Sequence, residues 1–157
     1  MKVSIVMGSI SDKKIADKTI SILEKFGVEY ELKVISAHRT PYIAVDFAEK
    51  AEKNGIEVIV AIAGKAAHLA GVLAGITPLP VIGIPAKSST MDGLDSLLSV
   101  VQMPKGVPVA TVAIDGGENA GLLAVQILSV KYPELRNKFK EYKVELAQDV
   151  EKMNQDL

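Results

Sequence analysis

Val58-Ile59-Val60-Ala61-Ile62-Ala63 is an unbroken apolar run, with Gly55 shortly before it and Gly64 immediately after. A segment this short, with no polar residue on either face, predicts a strand buried on both sides, as in a parallel sheet covered by helices. The neighbouring segments agree. Val3 to Met7 is short and β-branched and runs into the turn pair Gly8-Ser9. From Asp12 to Phe26 the residues Ile15, Ala16, Thr19, Ile20, Leu23 and Phe26 mark one stripe of a helix, and Gly27 stands at its C-cap. Tyr30 to Ile35 predicts a second strand. Pro41 opens a helix over Tyr42 to Asn54, which Gly55 closes.

Beyond the central run the alternation continues. Ala66 to Gly75 is a helix of small residues, able to approach a sheet closely. Pro80 to Ile84 and Val107 to Ile114 predict two further strands, with helices over Gly93 to Val101 and Glu118 to Val130. Strands alternating with helices imply an α/β fold, an open parallel five-stranded sheet between two helical layers; five strands fit a flavodoxin-like order. Residues 1–131 are the expected catalytic domain. Residues 132–157 form a C-terminal helical tail of the same single domain. Its apolar Leu135, Phe139, Tyr142, Leu146, Val150, Met153 and Leu157 make a narrow seam. That seam lies either on its own domain or on a neighbouring subunit.

Composition narrows the function. The chain has 157 residues, 48% hydrophobic and 24% charged, with a formal net charge of -1, so one soluble domain is expected. No basic run interleaves with aromatics, which argues against nucleic-acid binding. Cysteine is absent, excluding disulfides, thiolate metal sites and cysteine nucleophiles. Neither a signal peptide nor a membrane span is recognisable, so a cytoplasmic location without membrane association is expected.

In open parallel sheets ligands bind beyond the carboxyl ends of the strands. Four strand ends carry small, hydroxyl and ionisable residues: Gly8 to Asp12, Ser36 to Pro41, Ala63 to His68 and Pro85 to Thr90. In the first, Ser9 and Ser11 offer hydroxyls beside a helix start, which suits an anion, and Asp12 can accept hydrogen bonds from sugar hydroxyls. The plainer reading is that Ser11 or Asp12 caps the helix. In the second, His38 is suited to proton transfer near neutrality and Arg39 to phosphate or carboxylate oxygens. In the third, small residues allow a flat ring to lie on the backbone. Lys65 either neutralises a carboxylate there or points into solvent, and His68 falls in the first turn of the next helix, in a supporting role.

The segments GSISD (8–12), SAHRTP (36–41), AGKAAHLAG (63–71) and GLDSLLSVVQMPKGVPVATVAI (93–114) resemble the N5-carboxyaminoimidazole ribonucleotide mutase family. This is the catalytic-subunit type of phosphoribosylaminoimidazole carboxylase, of purine synthesis. The resemblance spans Val3 to about Lys131 and implies a flavodoxin-like homo-octamer that needs no cofactor and no metal. It further implies that His38 is the general acid and base. Arg39 and the serines would hold phosphate, and Asp12 the ribose hydroxyls. The candidate substrate-binding set is Ser9, Ser11, Asp12, Ser36, Arg39, Gly64, Lys65 and His68. An ATP-dependent carboxylating enzyme is the expected functional partner. The family commonly reads AGGAAHLPG, whereas here Lys65 stands for Gly and Ala70 for Pro.

The alternative within the family is direct carboxylation of the aminoimidazole ribonucleotide with CO2. Its members carry SAHK and a loop like AGRSNGL; SAHR and AAHL place this chain with the mutases, although Lys65 falls where that loop has Arg. A phosphoreceiver would carry acids where Gly8-Ser9 and Ala63-Gly64 stand, and a flavin carrier would bring flanking aromatics.

Overall fold

The computed structural model describes residues 1–155 and 157. Its strands are β1 (Lys2–Met7), β2 (Glu29–Val34), β3 (Val58–Gly64), β4 (Val81–Ala86) and β5 (Ala110–Thr111). Its helices are α1 (Lys13–Phe26), α2 (Pro41–Lys50), α3 (Leu69–Ala74), α4 (Leu94–Val101), α5 (Gly117–Leu128) and α6 (Pro133–Gln155), with a 3-10 turn at Ile10–Asp12. The strands form one parallel sheet in the order β2-β1-β3-β4-β5. This is the expected flavodoxin-like arrangement. The order reverses direction between β1 and β3, the switch point at which such sheets open a crevice.

The central apolar run behaves as its composition requires. Val58, Val60 and Ile62 enter the core shared with α1, α5 and α6, while Ile59 and Ala61 enter the core shared with α2, α3 and α4. Both faces of β3 are therefore covered, and Val58 to Ala61 and Ile62 are essentially inaccessible. On the first face α1 and α5 meet closely. A Cβ on Gly117 would lie 2.3 Å from the Ile15 carbonyl oxygen, so only glycine lets the helices approach. The buried Thr19 hydroxyl ties them by donating to the Gly117 carbonyl at 2.8 Å.

Three elements depart from expectation. α3 begins at Leu69 rather than Ala66, because Ala67 N–H bonds Lys65 O and His68 N–H bonds Ala66 O, two tight turns that delay the helix. α2 ends at Lys50 rather than Asn54, and turns carry the chain on to Gly55, whose φ is +77°. β5 spans Ala110–Thr111 instead of Val107 to Ile114. It is an edge strand entered through Pro108, which has no N–H to give, and beyond Thr111 it holds β4 only through Val112 N–H to Gly83 O and Asp115 N–H to Pro85 O.

The tail divides. Leu135 is buried, and Phe139 and Tyr142 each stack on Phe26 at 5.8 Å between ring centroids. Lys138 donates to the Phe26 carbonyl at the end of α1. This half of α6 lies on its own domain. Further along, Leu146, Val150 and Met153 are 40%, 57% and 66% exposed.

Candidate active site

Parallel register brings all strand ends to one edge. Met7 pairs with Val34 and Ile62, and Gly64 with Ala86, so the loops after β1, β2, β3 and β4 leave the sheet side by side. Between them lies a cavity of about 490 Å³, within the size range of small-molecule sites. Ser9, Ser11, Asp12, Ser36, His38, Arg39, Gly64 and Lys65 all line it. The expected residues converge, with the exception of His68, which stands off the wall and touches the site through His38.

The first loop continues the β1–β3 ladder through Gly8 N–H to Ile62 O and then turns. Ser9 is the capping residue: its Oγ accepts from Ser11 N–H at 3.3 Å. Asp12 stands at the N-cap of α1, but its side chain makes no capping hydrogen bond there. Ser11 Oγ instead donates to Asp12 Oδ1. Burial holds the Asp12 carboxyl above its ordinary range. The charge of Asp115 pushes the same way, while hydrogen bonds from Ser11 and the Ser9 backbone pull against both.

The second loop is a tight turn in which Thr40 N–H and Oγ1–H both donate to Ser36 O. Ser36 Oγ accepts from the backbone N–H and Nε–H of Arg39, and Arg39 Nη2 reaches the Gly8 carbonyl at 3.1 Å. Arg39 thus lies across the first loop and is held at two points. His38, exposed on the same turn, places Nε2 2.9 Å from His68 Nδ1, the rings crossing at 73°. His68 is the residue before α3, where the late start of that helix sets it opposite His38.

In the third loop Gly64 is still paired in the sheet and Lys65 has φ +55°. Only Lys65, Asp92 and Asp115 among the described non-glycine residues have positive φ, and all three stand in the strand-end loops. Backbone strain of this kind concentrates where a site is being shaped.

The fourth loop adds Lys87, Ser88 and Ser89 to the lining. Ser88 Oγ bonds both oxygens of Asp95, and Lys87 N–H donates to Asp115 Oδ1 at 2.8 Å. Asp115, after β5, was not among the expected site residues. The signal was present: it follows a strand at the same edge and opens the turn Asp115-Gly116-Gly117. Arg39, Lys65 and Lys87 line the cavity against the single carboxylate of Asp12, a balance that favours an anionic ligand. No group of three His, Cys, Asp or Glu residues able to hold a metal occurs among the described residues.

Known proteins resemble this chain over nearly its whole length. Residues 2–149 match the family described as AIR carboxylase. The chain is 57% identical over 149 residues to an N5-carboxyaminoimidazole ribonucleotide mutase from Pyrococcus horikoshii, covering 95% of this chain and 84% of the relative. A protein of the same name from Thermotoga maritima is 56% identical, with 95% and 87% covered. The chain also matches 25% of the length of a chloroplastic phosphoribosylaminoimidazole carboxylase from Vigna aconitifolia, at 51% identity over 87% of this chain. Among solved structures, Treponema denticola PurE superposes with a TM-score of 0.91 at 32% identity, covering 99% of this chain and 98% of that one.

Proposed function

The chain belongs to the AIR carboxylase family, and we propose that His38 drives its reaction, the conversion of N5-carboxyaminoimidazole ribonucleotide to 4-carboxy-5-aminoimidazole ribonucleotide in purine biosynthesis. The observation that carries this reading is the position of His38. It stands at a cavity of small residues, beside Arg39, with one ring nitrogen engaged by His68.

In this reading Arg39, with Ser9, Ser11 and Ser36, holds the phosphate, and Asp12 accepts from the ribose hydroxyls. The His38 imidazolium gives a proton to the carbamate nitrogen, the N–C bond breaks, and CO2 leaves with the bonding pair remaining on nitrogen. The ring carbon C4 then attacks CO2, forming the C–C bond. Neutral His38 removes the C4 proton, restoring the aromatic ring and its own imidazolium. The proton account closes on one residue. Such a group contributes about 10²–10⁴-fold in rate. Small walls at Ala37, Ala63 and Ala66 hold CO2 near the ring between the two steps.

The His68 contact suits this cycle. With Nε2–H of His38 as the donor of the 2.9 Å contact to His68 Nδ1 in both the neutral and the charged state, Nδ1 of His38 is left to give and take the proton. His68 then needs its own hydrogen on Nε2.

The test compares N5-carboxyaminoimidazole ribonucleotide with the uncarboxylated ribonucleotide plus bicarbonate. Fast turnover of the first and slow turnover of the second at low bicarbonate is the expected result. The reverse would mean direct carboxylation. His38→Asn should bind nucleotide and lose turnover; full activity in that variant would remove His38 from the mechanism.

A homo-octamer is supported by the uncovered apolar residues of α6 and by Leu94, Leu98 and Val101 along α4, which are 44%, 47% and 47% exposed. Sedimentation at assay concentration tests it. A cytoplasmic location, with no nucleic-acid or membrane partner, fits a small-molecule substrate, and no described helix is long and apolar enough to cross a membrane. A carbamate loses CO2 readily, which supports coupling to an ATP-dependent carboxylating enzyme that supplies it.

A further inference from the structure

Lys65 is held in a backbone conformation that glycine adopts freely and other residues resist, with φ +55°. It lines the cavity between the His38 loop and the Lys87-Ser88-Ser89 loop. The other two cations of the cavity are engaged. Arg39 is tied to Ser36 and to the Gly8 carbonyl, and Lys87 Nζ lies 3.3 Å from Asp92. Among the described residues no carboxylate lies within ion-pair distance of Lys65. A strained cationic residue on the cavity wall, with no carboxylate partner among the described residues, is the kind of local cost a site retains for a ligand.

The proposed substrate carries two anionic groups, a phosphate and a carboxylate. Arg39 and the serines around it answer the first. The carboxylate, carried by the ring that His38 works on, needs a second cation. We propose that Lys65 binds the migrating carboxylate, so that this site discriminates carboxylated nucleotides from the uncarboxylated one. The inference rests on the function proposed above and adds a specificity-determining residue to it. Substrate and product are both carboxylates, whereas the species between them is neutral CO2. The ammonium therefore holds the two ends of the reaction and releases its grip in the middle.

The experiment uses Lys65→Gly, which removes the charge and relieves the backbone, so the fold is not at risk, together with Lys65→Arg. Binding of 4-carboxy-5-aminoimidazole ribonucleotide and of the uncarboxylated 5-aminoimidazole ribonucleotide is measured by calorimetry on each protein, alongside KM for the N-carboxylated substrate. Lys65→Gly should weaken the carboxylated nucleotide about tenfold and raise KM to match, as expected for loss of one partly exposed charge-assisted hydrogen bond. The uncarboxylated nucleotide should bind unchanged, and Lys65→Arg should restore most of the discrimination. Equal weakening of both nucleotides would place Lys65 on the phosphate, and no change in either would place it in solvent; each overturns the proposal. If the parent protein binds both nucleotides but interconverts nothing, the proposed reaction fails, while the binding comparison still reads Lys65.

Discussion

Replacing His68 by alanine separates a positioning role from a proton-transferring one. The contact is a single hydrogen bond of 2.9 Å between two exposed rings. Such a bond is worth about 0.5–1.5 kcal/mol net. If it serves to keep the His38 ring oriented with Nδ1 toward the substrate, its loss lowers kcat by about 2- to 13-fold, since about 1.36 kcal/mol is a factor of ten. Loss of a general acid-base group costs about 10²–10⁴-fold. The two ranges therefore do not overlap, and lie about eightfold apart at their nearest ends. The assay is the initial rate of N5-carboxyaminoimidazole ribonucleotide conversion, with kcat and KM determined for His68→Ala, His38→Asn and the double variant. The expected pattern is a modest fall in kcat with KM little changed. The double variant should be no slower than His38→Asn, because an orienting residue has no effect once its target is gone. A His68→Ala defect as large as that of His38→Asn would make His68 a proton carrier and refute the reasoning, and an undiminished kcat would show that the ring contact orients nothing.

Other outcomes follow from the packing and the charges. Thr19→Val keeps the shape of a buried side chain and removes its hydrogen bond to the Gly117 carbonyl, so urea unfolding should report a loss of about 0.5–1.5 kcal/mol at unchanged m. Asp12 has a raised pKa, caused first by burial, so its stabilising contribution is complete below the ordinary carboxylate pKa and is lost as pH rises through the raised one. Asp12→Asn should accordingly gain on the parent protein in unfolding midpoint at neutral pH and lose that advantage in acid; a pH-independent difference would contradict it. Glu57 behaves oppositely. Burial alone would raise its pKa, but hydrogen bonds from Lys131 and Tyr132 outweigh it and hold the carboxyl below its usual range. Its contribution is present above the ordinary glutamate pKa and lost as pH falls through the lowered one, so Glu57→Gln should cost about 0.5–1 kcal/mol at neutral pH and progressively less in acid.

The chain order of strands and helices, and the edge at which chemistry collects, were legible in the amino-acid pattern. An apolar run such as Val58 to Ala63 can satisfy its backbone only inside a sheet covered on both faces, and parallel strands place their following loops together. Those are local or near-local constraints, so periodicity and turn residues report them. Only the tertiary structure decided the rest. The meeting of His38 and His68 depends on where two separate loops leave the sheet, and the late start of α3 arises from turns around Lys65 that no periodicity marks. The guanidinium of Arg39 lies on the Gly8 carbonyl because β1 and β2 are in register, a relation between residues 31 apart. β5 shortened because an edge strand need satisfy only one neighbour, and α6 divided because Phe26 packs against its first turns while Val150 and Met153 farther along stay exposed. Hydrophobic pattern is a property of each segment alone, whereas distances between functional groups belong to the register and packing of segments far apart in the chain.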